Sequence, residues 1–99
     1  MAAYLIVDIS VRDEQTYAGY RARVSDQIRE YGGEYLVRGG KAERLEGDWN
    51  PKRLVVVRFE SIEAARKWWG SEDYAELKAI RRASTDTNMI VVEGVANRA

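Results

Sequence analysis

The chain contains neither histidine nor cysteine. Its chemistry therefore rests on arginine, tyrosine, tryptophan and carboxylate side chains. The missing histidine removes the usual base near neutral pH and the commonest metal ligand, and the missing cysteine removes thiolate nucleophiles and disulfides. Carboxylates alone suit a hard ion such as magnesium, but here they are not clustered in sequence. The expectation is a protein without metal, haem or other cofactor. Arg38 leads Gly39-Gly40 at the end of a strand pattern. If Tyr35 and Val37 face the helices, alternation turns Arg38 to the opposite sheet face, where a guanidinium can clamp a carboxylate in bidentate fashion. The same arginine could equally pair with Glu34, Glu46 or an acid of a second chain. Trp49 sits in a Gly-Asp-Trp-Asn-Pro turn, where its amphipathic ring either lids a ligand or plugs an interface. Tyr4 and Asp8 share one strand face with Ile6. In an apolar cavity they could exchange protons with shifted pKa values, or be hydrogen-bonded and inert. Glu93 on the last strand is a candidate of the same kind. The basic pair Arg81-Arg82 reads as a solvated helix face rather than a phosphate site.

The elements that must position these residues follow from periodicity. Ala3 to Val11 is a β-branched apolar run, read as a buried strand. Asp13 can cap a helix whose Tyr17, Tyr20, Val24, Ile28 and Tyr31 recur at helical spacing, with Gly32 just past its end. Tyr35 to Arg38 is a second strand, broken at Gly39-Gly40 and expected to continue over Ala42 to Glu46 after a bulge or bend. Gly47 to Lys52 is a turn, since Pro51 argues against a central strand there. Arg53 to Glu60 is the third strand. Ser61 caps a short helix carrying Ala64, Ala65, Trp68 and Trp69. The two tryptophans point about 100° apart, so one belongs in the core and the other at a rim. Gly70 breaks this helix, and Ser71 can cap another with Tyr74, Leu77 and Ile80 on one side. Asn88 to Val95 is the last strand, and only the last few residues look frayed.

The order β-α-β-β-α-β is the split βαβ of ferredoxin-like folds, an α+β sandwich with a four-stranded antiparallel sheet and helices on one face. The 99 residues form one domain, 1-99. Strands one, three and four do not alternate as a half-solvated sheet would. Both sheet faces are apolar, so a second copy of the chain is the simplest cover, and a homodimer is expected. Sixteen basic and sixteen acidic residues leave no net charge, so no footprint for nucleic acid or an anionic membrane is visible. There is no signal-peptide pattern and no apolar stretch of spanning length, which makes the cytoplasm the default expectation.

Tyr-Leu-Ile-Val-Asp at 4–8, Tyr-Leu-Val-Arg-Gly-Gly at 35–40, Leu-Glu-Gly-Asp-Trp-Asn-Pro at 45–51, Arg-Leu-Val-Val-Val-Arg-Phe at 53–59 and Val-Glu-Gly-Val at 92–95 together resemble the domain-of-unknown-function 1330 family. The resemblance covers nearly the whole chain. It implies a dimeric α/β-barrel, in which two ferredoxin-like sheets face each other. That superfamily includes cofactor-independent monooxygenases, small isomerases and haem enzymes. Arg58 stands where the family pattern has an acidic residue, so no carboxylate role carries over to that position; the arginine itself joins the ligand-binding candidates.

Two kinds of function compete. One is a small-molecule barrel protein that binds or transforms an anionic or aromatic metabolite without a cofactor. The other is a non-catalytic domain for metabolite sensing or assembly. RNA binding ranks below both, because the third strand offers aliphatic side chains where stacking aromatics are needed.

Overall fold

The computed structural model describes residues 1–95. The order is β1 (Ala3–Val11), α1 (Glu14–Glu30), β2 (Glu34–Arg38), β3 (Leu54–Phe59), α2 (Ile62–Trp69), α3 (Glu72–Ser84) and β4 (Thr85–Glu93). Four antiparallel strands pair in the order β2-β3-β1-β4, the ferredoxin-like arrangement with helices on one face. Each helix begins where a short polar side chain accepts a backbone N–H in its first turn. Asp13 accepts from Thr16, Ser61 from Ala64 and Ser71 from Tyr74. Between α1 and β2, Gly32 takes φ +87°, and a side chain at buried Gly33 would collide with Ile28, Val57 and Phe59. The two glycines let the chain turn tightly against the core.

The core lies between the sheet and the helices. Leu5, Val7 and Ile9 of β1 and Val55, Val57 and Phe59 of β3 meet Tyr17, Tyr20, Val24 and Ile28 of α1 and Trp68, Tyr74 and Leu77 of the other helices. Trp68 is fully buried and stacks near Phe59 and Tyr74, while Trp69 is exposed, as their angular separation requires. The opposite sheet face is apolar at its centre. There Ile6 pairs across the ladder with Val56 and Ile90, and Val56 with Val37.

Several boundaries differ from the sequence expectation. No strand forms over Ala42–Glu46, because Arg38 already pairs with Val55 and β3 begins at Leu54, which leaves no strand opposite a longer β2. Residues 40–53 instead form an irregular arm. The bulge lies within β2, between Tyr35 and Val37, and not after Gly40. β4 begins at Thr85, three residues before its apolar run, because Thr85, Asp86 and Thr87 pair with Val11, Ser10 and Ile9. It ends at Glu93 rather than Val95. The expected fraying of the last few residues falls on residues 96–99, which lie outside the described residues.

Candidate functional site

The bulge at Leu36 decides where Arg38 points. Tyr35 pairs with Val57, Val37 with Val56 and Arg38 with Val55. Val55 and Val57 face the helices, so Arg38 does too, and Val37 turns to the open face. One extra residue has reversed the alternation. Arg38 is thus not on the open face, contrary to the parity expected without a bulge. Its guanidinium carbon lies 4.8 Å from the centroid of the Tyr35 ring. Glu93 pairs with Ala3, whose side chain is buried toward the helices, so Glu93 likewise does not share the face of Tyr4 and Asp8.

Tyr4, Asp8 and Arg58 do lie on the open face, but they do not converge. Tyr4 pairs with Arg58 and Val92 at one end of the ladder, and Glu34 lies opposite Arg58 on the far side. Asp8 is four residues further along β1, about 13 Å at the usual rise of a strand. Its carboxylate accepts from Trp49 Nε1 at 3.0 Å and from the Lys52 backbone N–H at 3.0 Å. Asp8 therefore fastens the arm to the open face of the sheet at β1, and Trp49, 61% exposed, is one of its anchors. Both residues drawn from the sequence as possible chemistry meet each other, in a hydrogen-bonded tether rather than an acid–base pair.

The large concavity is elsewhere. A groove of about 710 Å³ runs along β4 between the sheet edge, α2 and α3. Leu5, Ala65, Trp69 and Met89 supply apolar wall; Arg66, Arg81 and Arg82 supply cations; Thr87 and Asn88 supply neutral polar groups. Asp86 is the groove's carboxylate, and it pairs with Arg12 at 3.2 Å. The rim is held by short hydroxyl bonds. Thr85 Oγ1 donates to the Arg81 carbonyl at 2.7 Å, which leaves the Thr87 hydroxyl to donate to Thr85 at 2.7 Å.

Arg81 is the groove's least ordinary residue. It is 6% exposed, whereas the pair Arg81-Arg82 reads in sequence as solvated. Only Arg82 is exposed. Among the described residues no carboxylate lies within 4.0 Å of the Arg81 guanidinium. Its Nε donates to the Tyr74 hydroxyl at 3.2 Å, and that hydroxyl is 2.9 Å from the Tyr20 hydroxyl. Burial, reinforced by Tyr74, pushes the Tyr20 phenol above its ordinary value of 10.0, so it remains a neutral member of the chain of hydrogen bonds. A buried cation held only by neutral partners is costly unless an anion joins it. The sequence carried a signal for this residue. Arg81 follows Tyr74 by seven positions and Leu77 by four, on the same buried stripe of α3.

Trp69, 39% exposed, forms the other side of the groove. The Lys78 ammonium lies 3.6 Å from its ring centroid, a cation–π contact that steadies the indole. Desolvation, with Arg82 and Arg81 nearby, lowers the Lys78 pKa from its ordinary value. Taken together the groove offers an aromatic wall and an excess of positive charge, a combination suited to a planar anion. Among the described residues no group of three or more carboxylates could hold a metal ion, and no helix is long and apolar enough to cross a membrane.

A family model described as Domain of unknown function (DUF1330) matches residues 2–95. No curated protein matches the chain in sequence. Among solved structures, a protein of unknown function from Rhodopseudomonas palustris is similar with a TM-score of 0.77 at 16% identity, over 97% of this chain and 84% of that one. SnoaB, a cofactor-independent oxygenase from Streptomyces nogalater, is similar with a TM-score of 0.66 at 11% identity, over 97% and 95%. A hypothetical Arabidopsis thaliana protein is similar with a TM-score of 0.65 at 14% identity, over 98% and 91%. At these identities the likeness is one of fold.

Proposed function

The chain belongs to the DUF1330 family of domains of unknown function, and from the chemistry of its groove we propose that it binds a small aromatic or otherwise planar anion there. The observation that carries this reading is Arg81, a nearly buried guanidinium with no carboxylate partner among the described residues, lining a 710 Å³ groove with Trp69. Burial of a ligand's ring against Trp69 and Met89 supplies apolar contact. Arg81 supplies a charge-assisted hydrogen bond in a partly desolvated site. Arg66 and Arg82 raise the local concentration of anions. The fold is that of SnoaB, a cofactor-independent oxygenase, so a role in transforming the ligand without a cofactor fits the same groove. Against catalysis stands Asp86, whose carboxylate is engaged by Arg12. That engagement favours the second reading, a domain that senses a metabolite without turning it over.

The apolar open face supports a homodimer. Val37, Ile90 and Val92 are 39%, 58% and 43% exposed in the single chain, on the face that also carries Ile6 and Val56. A second copy turned sheet to sheet covers all five. Light scattering should then give twice the chain mass of 11.3 kDa, and a folded monomer would count against the cover.

Titration with naphthoate, followed by amide and indole NMR, tests the ligand reading. Saturable shifts centred on Trp69 and on Thr87 to Val91 are expected. Shifts confined to the open face, or none at all, would remove the groove as the site.

A further inference from the structure

A second set of cations, unused by the groove, lies toward the opposite edge of the sheet. A narrow cavity of about 30 Å³ runs between α1 and the sheet; core side chains such as Val7, Ile9 and Val55 form most of its wall, and the exposed Arg21 of α1 and Arg38 of β2 and the half-buried Arg53 just before β3 border it beside Tyr17 and Tyr35. Among the described residues none of these arginines has a carboxylate within 4.0 Å; the ion pairs there are Arg12–Asp86, Arg23–Glu76 and Arg29–Asp26. Acids and bases balance in the chain as a whole, so the excess is local. Arg53 Nε is buried and has no hydrogen-bond partner among the described residues, a costly state for a charged donor. The backbone makes room for this side chain. Gly39 has φ +72°, and a Cβ at that position would overlap the Arg53 guanidinium.

We propose that Arg53, with Arg38 and Arg21 at the mouth, binds one small anion: a halide ion or the carboxylate group of a small organic acid. The cavity's volume sets the class. It is about the share of one water molecule in the liquid, which suits a chloride ion or a carboxylate and is too small for a nucleotide. The orphaned Nε sets the polarity, since only an acceptor can satisfy it. Leu5 and Met89 line both this cavity and the β4 groove, but the two sets of arginines are separate: Arg21, Arg38 and Arg53 here, Arg66, Arg81 and Arg82 there. It also touches both ends of the arm. Gly39 N–H donates to the Leu54 carbonyl at 2.7 Å, and Ile9 N–H to the Arg53 carbonyl at 3.0 Å. An anion on Arg53 and Arg38 therefore braces the two points from which the arm departs.

Thermal unfolding at constant ionic strength tests the site, with gluconate replaced stepwise by chloride or by acetate. A saturable rise in Tm is expected, on the order of 5–10 °C at about ten times the anion's Kd. Arg53→Met should abolish the rise and Arg38→Ala should reduce it. A response to chloride alone identifies a halide site; a response to acetate identifies a carboxylate site. Chloride NMR line broadening on the unaltered protein, and its loss in Arg38→Ala, decides the matter if Arg53→Met does not fold. Equal Tm in chloride, acetate and gluconate would overturn the proposal, as would an anion response that survives Arg53→Met. Naphthoate shifts at Trp69 are read separately, so loss of one site leaves the other standing.

Discussion

Replacing Asp8 with alanine should release the arm without unfolding the sheet. Asp8 accepts from Trp49 Nε1 and from the Lys52 N–H, both at 3.0 Å. Among the described residues these are the hydrogen bonds that tie the stretch between Gly40 and Lys52 to the strands. Sheltered hydrogen bonds to a charged group contribute about 1.5–3 kcal/mol each. Both of these face solvent, where screening reduces charged pairs to about 1 kcal/mol or less. Two bonds at about 1 kcal/mol each hold the arm by about 2 kcal/mol, a factor of roughly 30 in the population of the released arm. Exchange of the Lys52 amide and the Trp49 indole N–H, followed by NMR, should accelerate by about that factor in Asp8→Ala, while amides of Leu5 and Val57 keep their protection. Asp8→Asn retains one carbonyl acceptor and should fall between the two. Unchanged exchange at Lys52 and Trp49 in Asp8→Ala would refute the tether. Loss of protection at Leu5 would show that Asp8 supports the sheet itself.

Arg81→Met should weaken naphthoate binding by about 10- to 150-fold, the equivalent of a charged hydrogen bond of about 1.5–3 kcal/mol, as measured by calorimetry; equal affinity would remove Arg81 as the anchor. Stability should fall above pH 10. The Tyr20 phenol is held above its ordinary value of 10.0 by burial, so the unfolded chain loses this proton first, and the contribution is full below pH 10 and lost as pH rises beyond it; Tyr20→Phe should flatten the alkaline limb of a urea-midpoint profile. Leu77→Ala, at a side chain 1% exposed, should cost about 2–5 kcal/mol in urea unfolding, and a smaller loss would mean the core closes around the gap.

The parts of the molecule legible in the sequence are those governed by local rules. β1 spans Ala3–Val11, the bounds its sequence pattern predicts, because its helix-facing set, Ala3, Leu5, Val7 and Ile9, is uniformly apolar. Asp13, Ser61 and Ser71 cap the helices expected of them because a cap acts within three residues. What escaped depends on partners distant in sequence. The first three residues of β4, Thr85, Asp86 and Thr87, are polar and give no apolar strand pattern; their strand structure comes from pairing with Val11, Ser10 and Ile9 of β1. Arg81 looked solvated beside Arg82, and its burial follows from α3 packing against α1 through Tyr74 and Tyr20.

The bulge at Leu36 shows how one such long-range term redirects a functional argument. An alternating β2 sends Arg38 to the open sheet face, toward Tyr4 and Asp8, and suggests one barrel-centred site. The extra residue sends it to the helix-facing side instead, exposed over Tyr35 at the border of the cavity it shares with Arg53. The open face then retains an apolar centre, fitted to cover by a second chain, while the cations gather on the helix side in two places. One is broad, aromatic-walled and lies along β4; the other is narrow and lies near β2. Deleting Leu36 would remove the bulge and leave Tyr35, Val37 and Arg38 opposite Val57, Val56 and Val55, so Val37 and Arg38 would keep their faces. The small-anion response and naphthoate binding should both survive the deletion; an anion response lost with Leu36 would show that the bulge itself, and not the face of Arg38, builds the site.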